Sequence, residues 1–202
     1  MRFIAVLIVY LTIDSTTITT MTDGEASITI PIIDIGGYLA GDVVGKAVVA
    51  AKVCEAYENQ GFLQIVGHGV TQDLQSRFLK VVAAFFALPA EEKLKLSAEL
   101  SPCFRGYERV GGQKLDELDE SATPDQKEGF TIKPGRPLGR FLAGPNQWPD
   151  SSLPGMANFK ETYMEYFWTV HELSKTMFRL IALSLGLDED YFDDFASDPD
   201  GK

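Results

Sequence analysis

Histidine and cysteine are scarce in this chain of 202 residues. It contains two histidines, His68 and His171, and two cysteines, Cys54 and Cys103. Two cysteines in a chain of this length do not make a disulfide scaffold, and the absence of a Cys-x-x-Cys pair excludes a zinc ribbon. A metal site would therefore have to combine the two histidines with carboxylates.

Basic residues are also few. The chain has 18 lysines and arginines against 29 aspartates and glutamates, which gives a formal net charge of −11. Nucleic-acid binding needs a clustered basic surface, and binding to anionic lipid needs a basic patch. The sequence offers neither, so we expect no nucleic-acid partner and no membrane partner.

Long hydrophobic runs are missing as well. The apolar run Phe3–Leu11 has nine residues, whereas a helix that spans a bilayer needs about 20. With Arg2 ahead of it, the run could be the core of a signal peptide, but no A-x-A cleavage pattern follows. Alternatively, residues 1–20 are an upstream extension and Met21 is the functional start. The low use of cysteine favours a cytoplasmic protein.

What is present predicts one domain of mixed helices and short strands, residues 28–187, followed by an acidic tail, residues 188–202. Three segments predict strands because they are rich in β-branched or aromatic residues and are bounded by glycine or proline: Ile28–Ile35, Phe62–Val66 and Gly129–Lys133. Proline donates no backbone hydrogen bond, so Pro31 should lie at an edge or at the first residue of pairing.

Three longer segments predict amphipathic helices, because apolar residues recur every three or four positions. The first is Val43–Gln60, the second follows the N-cap Thr71 and ends before Pro89, and the third is Phe159–Ser184, ended by Gly186. In the first helix the spacing predicts the following buried face: Val43, Ala47, Ala50, Cys54 and Tyr57. The faces predicted for the other two helices are Leu74, Phe78, Val81, Phe85 and Leu88 in the second, and Phe159, Tyr163, Tyr166, Val170, Leu173, Met177, Leu180 and Ser184 in the third. The segment after Ser97, with Pro102 and the pair Gly111–Gly112, is expected to be rich in loops.

No active site can be built from the residues alone. The Gly67–Gly69 turn between a strand and a helix is similar to the opening of a nucleotide-binding domain, but Gln72 stands where the third glycine belongs. Neither histidine begins an H-x-D or H-x-E pair, because Glu172 directly follows His171. There is no G-x-S-x-G motif, and no basic residue beside Cys103 would activate its thiol.

Six motifs nevertheless resemble, in order, the isopenicillin N synthase-like family of non-haem iron, 2-oxoglutarate-dependent dioxygenases. They are Ile30–Asp34, Gly61–Val70, Phe85–Lys93, Arg105–Tyr107, Lys127–Phe130 and Asn146–Pro149 with Leu153–Pro154. In the second motif Gly67 replaces the usual asparagine. The resemblance covers the chain from about Ile28 to the end of the long helix.

The resemblance implies an α+β fold, a helical N-terminal domain with a few short strands. In relatives this domain packs on and extends a double-stranded β-helix, the jelly-roll barrel, and that barrel carries the ligands of Fe(II) and 2-oxoglutarate. None of those ligands can be assigned within residues 1–202. Fe(II) and 2-oxoglutarate are thus implied for a full-length family member, and we expect neither to bind this chain.

Two substrate-binding residues are implied by the same resemblance. Arg105 and Tyr107 belong to a motif that lies near the mouth of the substrate pocket in relatives, where an arginine could pair with a substrate carboxylate. Alternatively, Arg105 neutralises the surrounding acidic loop and Tyr107 packs on the sheet.

Two functional hypotheses follow, beside a weaker one in which the chain is a nucleotide-binding domain. In the first, the chain is the N-terminal part of an oxidoreductase that uses 2-oxoglutarate in the hydroxylation, desaturation or ring closure of a small molecule. The chain alone is then expected to be inactive, because it was cut short. In the second, it is a non-catalytic interaction module that binds a partner through surfaces which the barrel normally covers. Unpaired strand edges would then favour self-association.

Overall fold

The structure is a computed structural model that describes residues 29–112, 123–133 and 143–197. The predictions for residues 1–20, for Met21 and for the end of the acidic tail lie outside these residues. In chain order the elements are β1 (Ile32–Asp34), α1 (Gly36–Leu39), α2 (Val43–Asn59), β2 (Gln64–Val66), α3 (Gln72–Phe86), α4 (Ala90–Leu94), a 3-10 turn (Ala98–Leu100), β3 (Gly106–Glu108), β4 (Gly129–Thr131), α5 (Phe159–Ser184) and α6 (Asp193–Ser197).

The strands form two small sheets. β1 and β2 pair in parallel with Ile33 opposite Ile65, whereas β3 and β4 pair antiparallel with Tyr107 opposite Phe130. The Pro31 carbonyl accepts the first hydrogen bond of the parallel pair, which confirms its place at the start of pairing. Mixed helices with a few strands are therefore confirmed, and the strands of the described residues form no closed barrel.

The described residues divide into two compact units. Unit 1 contains those up to Gln75 and those from Phe167 onward, and unit 2 contains those within Ser76–Tyr166. Each unit has its own hydrophobic core. The domain limits expected from the sequence, 28–187 and 188–202, stay predictions.

The core of unit 1 is aliphatic and collects residues from β1, α2 and the second half of α5. Ile35, Val53 and Leu180 are fully buried in it. α2 begins where the Asp42 carboxylate accepts the backbone N–H of Gly45 at 2.8 Å, which satisfies one of the amides left without a partner at a helix start. The spacing of apolar residues correctly predicted α2 and α5 as helices.

The predicted buried face of α2 is confirmed for Ala50 and wrong for the residues at its two ends. Val43 is 81% exposed and Tyr57 is 40% exposed, while the buried side chains are Val49, Ala50, Val53 and Ala56. The helix carries valine and alanine on most of its circumference, so spacing alone does not select the side that packs. Part of the predicted face, including Ala47 and Cys54, instead lines an open groove with Leu183.

The beginning of the acidic tail is fixed to unit 1. The Glu189 carboxylate accepts hydrogen bonds from the Tyr38 hydroxyl at 2.6 Å and from the Lys46 ammonium at 2.8 Å. These bonds, chiefly the one from Lys46, lower the pKa of Glu189. Further along, Asp193 binds the Arg179 guanidinium through two hydrogen bonds.

The core of unit 2 is aromatic. Phe85 and Phe159 are fully buried, and Phe130 packs against both rings at centroid distances of 4.7 and 5.5 Å. Phe85 belongs to the face of α3 that the sequence predicted. The hydroxyl of Thr71 accepts the backbone N–H of Leu74 at 3.2 Å, which confirms Thr71 as the N-cap of this helix. Across the described segments, no helix combines the length and the apolar character needed to cross a bilayer.

Candidate functional site around Arg105 and Tyr107

Both predicted site residues lie on or beside β3. Arg105 directly precedes this strand and Tyr107 is its central residue. One edge of β3 pairs with β4, and on the other side the Tyr107 N–H donates to the Leu96 carbonyl at 2.8 Å. The sequence predicted a loop here, because Pro102 and the pair Gly111–Gly112 surround this segment.

Gly106 allows the chain to pass close to Leu96, in the segment that follows α4. Its φ is +114°, and a Cβ at this position would lie 2.2 Å from the Leu96 carbonyl oxygen. It would also lie 2.7 Å from the Nε2 atom of Gln147. Contacts this short are repulsive, so only glycine fits between Arg105 and Tyr107.

The carboxamide of Gln147 stabilises the place where the chain at Gly106 passes close to Leu96. Its Nε2 group donates to the carbonyl of Arg105 at 2.7 Å and lies within hydrogen-bond distance of the carbonyls of Ser97 (3.0 Å) and Leu96 (3.2 Å). These carbonyls belong to two chain segments that a single side chain joins. Within the Asn146–Pro149 motif, Gln147 thus has the structural role of joining these two segments.

Arg105 is held by the neighbouring residues of that motif. Its side chain is 1% exposed, and Nη1 donates to the Gly144 carbonyl and, at 3.3 Å, to the Asn146 side-chain oxygen. Asn146 also accepts the N–H of Lys133 at 3.0 Å and donates to the Lys133 carbonyl at 2.8 Å. The guanidinium therefore supports the backbone of the loop at Gly144 and Asn146.

Tyr107 belongs to a second cluster, formed with Lys93 and Glu128. The Tyr107 hydroxyl and the Lys93 ammonium both donate to the same Glu128 oxygen at 2.7 Å. Lys93 donates in addition to the Phe86 carbonyl at 3.0 Å, and its Nζ atom lies 5.3 Å from the centre of the Tyr107 ring. Tyr107 and Lys93 are buried and the Glu128 side chain is 28% exposed, so a partly buried ion pair lies against the centre of β3.

The electrostatics of this cluster favour a charged carboxylate beside a neutral phenol. The hydrogen bonds from Lys93 and then Tyr107 lower the pKa of Glu128. Burial, together with the bond to this carboxylate, raises the pKa of Tyr107 to about 12. At neutral pH the Tyr107 hydroxyl is thus protonated and donates its hydrogen bond to the Glu128 carboxylate.

Reasoning from the sequence missed the partners of both residues. Lys93, Glu128, Asn146 and Gln147 are part of the quoted motifs, but nothing in the sequence singled them out individually. The available signal was that all four lie within the quoted motifs and that Lys93 and Glu128 are opposite in charge. That signal alone does not show that the Lys93 and Glu128 side chains form an ion pair.

One further residue in this region has an unusual backbone. Phe104 has φ of +52°, which is strained for a bulky side chain, and its ring is 63% exposed. Its N–H donates to the Ser101 carbonyl at 3.2 Å. The turn directs an aromatic ring to the surface immediately before the buried Arg105.

The described residues do not fit Fe(II). Within residues 29–112, 123–133 and 143–197, no three side chains of histidine, cysteine, aspartate or glutamate come together as a metal site. The Nδ1 atom of His68 accepts the backbone N–H of Val70 at 3.1 Å, which gives this nitrogen a local role in the turn. His171 lies beside aromatic rings, with Trp168 at a centroid distance of 5.4 Å.

Comparison with known proteins gives a consistent family. A family model described as non-haem dioxygenase in morphine synthesis N-terminal matches residues 30–151, which is more than half of the chain. The chain is 38% identical over 170 residues to the 2-oxoglutarate-Fe(II) type oxidoreductase hxnY of Emericella nidulans, and the match covers 81% of this chain and 48% of that protein. It is 32% identical over 184 residues to homoarginine-6-hydroxylase 2-ODD-C23.1 of Arabidopsis thaliana, covering 84% of this chain and 53% of that protein.

Solved structures show a similar fold. A full-length protein of Neurospora crassa, crystallised in complex with alpha-KG and thymine, superposes with a TM-score of 0.69 at 28% identity. The superposition covers 85% of this chain and 53% of that chain. The chain thus spans about half the length of these two curated relatives, one of them a 2-oxoglutarate-Fe(II) type oxidoreductase and the other a homoarginine-6-hydroxylase.

Proposed function

Because this chain belongs to the family of non-haem dioxygenase N-terminal domains, we propose that it is the N-terminal part of a 2-oxoglutarate-dependent oxygenase of a small organic molecule. The reaction would be a hydroxylation, a desaturation or a ring closure. One observation carries this proposal beyond the family match. Four of the six motifs, which are scattered between Phe85 and Pro149, meet in the hydrogen-bonded network around β3.

Arg105 and Tyr107 would serve substrate binding from buried positions. Arg105 fixes the loop at Gly144 and Asn146, while Tyr107 fixes β3 against Glu128. We propose that this network presents the surface around Phe104 to the substrate in the full-length enzyme. Since the described residues do not fit Fe(II), no step of the oxidation is assigned to a side chain of this chain.

Iron binding and turnover test this proposal. Calorimetric titration of the 202-residue chain with Fe(II) and 2-oxoglutarate is expected to show no stoichiometric binding, because no ligand set is found among the described residues. A reading frame that continues beyond Lys202 and encodes an H-x-D pair and a later histidine should give a protein that forms succinate from 2-oxoglutarate. Stoichiometric iron binding by the chain alone would contradict the proposal, as would a continued reading frame without these ligands.

The exposed side of α2 supports packing against a barrel. Val43, Val44 and Val48 are 81%, 69% and 48% exposed, and beside them lies an open groove of about 710 Å³ lined by Ala47 and Leu183. Adjacent exposed valines on one helix mark an interaction surface. We propose that the jelly-roll barrel of the full-length enzyme covers this face, as the resemblance implies.

Without such a cover, the same face should cause self-association of the 202-residue chain. Val44→Lys with Val48→Lys places two charges on the face and is expected to convert oligomers into monomers in size-exclusion chromatography with light scattering. Leu79→Lys, a matched change at a 45% exposed residue of α3, should leave the oligomers unchanged. A wild-type chain that stays monomeric at high concentration would count against an exposed interface. This outcome would also remove the support for the second candidate function, a non-catalytic interaction module.

A further inference from the structure

The aromatic core of unit 2 contains a cavity that none of the functions above uses. Its volume is about 140 Å³. Six of its lining residues are aromatic, namely Phe78, Phe85, Phe86, Phe130, Phe159 and Tyr163, and the remaining one is Val82. The cavity is partly open to solvent, and a recess of this size is unusual in a packed interior, where few voids exceed a water molecule.

Water is a poor occupant for this cavity. A buried water needs two to four polar partners, and the Tyr163 hydroxyl is the only polar side-chain group among the seven lining residues. That hydroxyl donates to the Phe130 carbonyl at 3.1 Å. Apolar cavities of about 150 Å³ lined by aliphatic and aromatic side chains stay dry and bind benzene or xenon.

The arrangement of the rings favours a flat aromatic molecule over an aliphatic one. Phe130 meets Phe159 edge to face, with an interplanar angle of 84° and a centroid distance of 5.5 Å. Phe78 meets Tyr163 in the same manner, at 75° and 5.1 Å. These rings are already in contact with one another, and edge-to-face contacts contribute beyond the burial of apolar area, so a further ring placed against them would gain contacts that a saturated ring lacks.

We propose that this cavity is a binding site for a single benzene-sized aromatic molecule. Access is available through the rim, because Phe78 and Val82 are partly exposed whereas Phe85 and Phe159 at the other side are buried. The ligand class is a monocyclic arene without charged or strongly polar substituents, since a buried polar group would find no partner there.

Benzene titrated into the 202-residue chain tests the proposal. At a concentration about tenfold above Kd, benzene is expected to raise Tm by about 3–6 °C. Nuclear Overhauser effects between benzene protons and the Val82 methyl groups should place the ligand in the cavity. Cyclohexane should bind about tenfold more weakly, and equal affinity for the two rings would overturn the aromatic ligand class.

Two variants of α3 locate the site. Val82→Phe puts a ring into the cavity and is expected to abolish the benzene-induced shift. Leu79→Phe adds the same ring at a 45% exposed residue and should keep the shift. Near-UV circular dichroism shows whether each variant is folded. If Val82→Phe is unfolded, the Overhauser effects in the wild-type chain show whether benzene binds in the cavity. Benzene binding without contacts to Val82, or undiminished binding by folded Val82→Phe, would overturn the proposal.

Discussion

Gly106→Ala is expected to lower the free energy of unfolding by about 2–4 kcal/mol, because it combines backbone strain with overpacking. The φ of +114° disfavours any residue with a Cβ, and that Cβ would lie 2.2 Å from the Leu96 carbonyl oxygen. The oxygen is a backbone atom that accepts the Tyr107 N–H, so it cannot move without loss of this bond. Equilibrium urea unfolding, followed by the fluorescence of Trp148 in unit 2, measures the change.

Gly111→Ala is the matched control. Gly111 also has positive φ, +75°, but a Cβ there would meet its nearest neighbour, Pro124, at an ordinary distance of 3.8 Å. The control should therefore lose only the backbone contribution, about 1 kcal/mol. Equal losses in the two variants would show that the close approach to Leu96 is not what requires glycine at position 106.

The parts of the fold that the sequence predicted well are those where one face of an element is apolar and the opposite face is polar. α3 and α5 satisfy this condition, and several of their buried residues, such as Phe85 and Leu180, are among those expected from spacing. α2 does not satisfy it, because valine and alanine surround the helix. Its packing side depends on neighbours that are distant in sequence, and spacing within one helix carries no information about them.

The candidate site shows a similar limit. The resemblance selected Arg105 and Tyr107, but their partners Asn146 and Glu128 lie 41 and 21 residues further along the chain. Hydrogen bonds between loops and short strands follow no period, so no pattern in the sequence predicts them. Both side chains point into hydrogen-bonded clusters, and this direction is set by the Gly106 crossing, which sequence reasoning read as a loop.

The ion pair between Lys93 and Glu128 gives the second large expected effect. Glu128→Gln keeps the shape of the side chain but leaves the buried Lys93 ammonium without its counter-charge. We expect a loss of about 2–3 kcal/mol, since breaking a buried pair costs more than an exposed one and Glu128 keeps some contact with solvent. The free energy of unfolding at pH 7, from urea titration, measures this loss.

Two further variants separate the ion pair from its surroundings. Glu92→Gln removes the partner of Lys95, whose side chain is 65% exposed, and the expected change is at most about 0.5 kcal/mol. Lys93→Met combined with Glu128→Gln removes both charges, so the double variant should lose less than the sum of its single changes. Additive losses would show that the two side chains act independently.

The pH dependence supplies an independent check of the same pair. The pKa of Glu128 lies below its usual value of 4.5 because Lys93 and Tyr107 donate to the carboxylate. A carboxylate with a lowered folded-state pKa stabilises the protein above its unfolded-state pKa, and this contribution is lost as the pH falls through the folded-state value. The stability difference between the wild type and Glu128→Gln should therefore be constant from pH 6 to 7 and shrink below about pH 4.5. A difference that stays constant down to pH 3 would mean that Glu128 contributes through packing and neutral hydrogen bonds, and not through its charge.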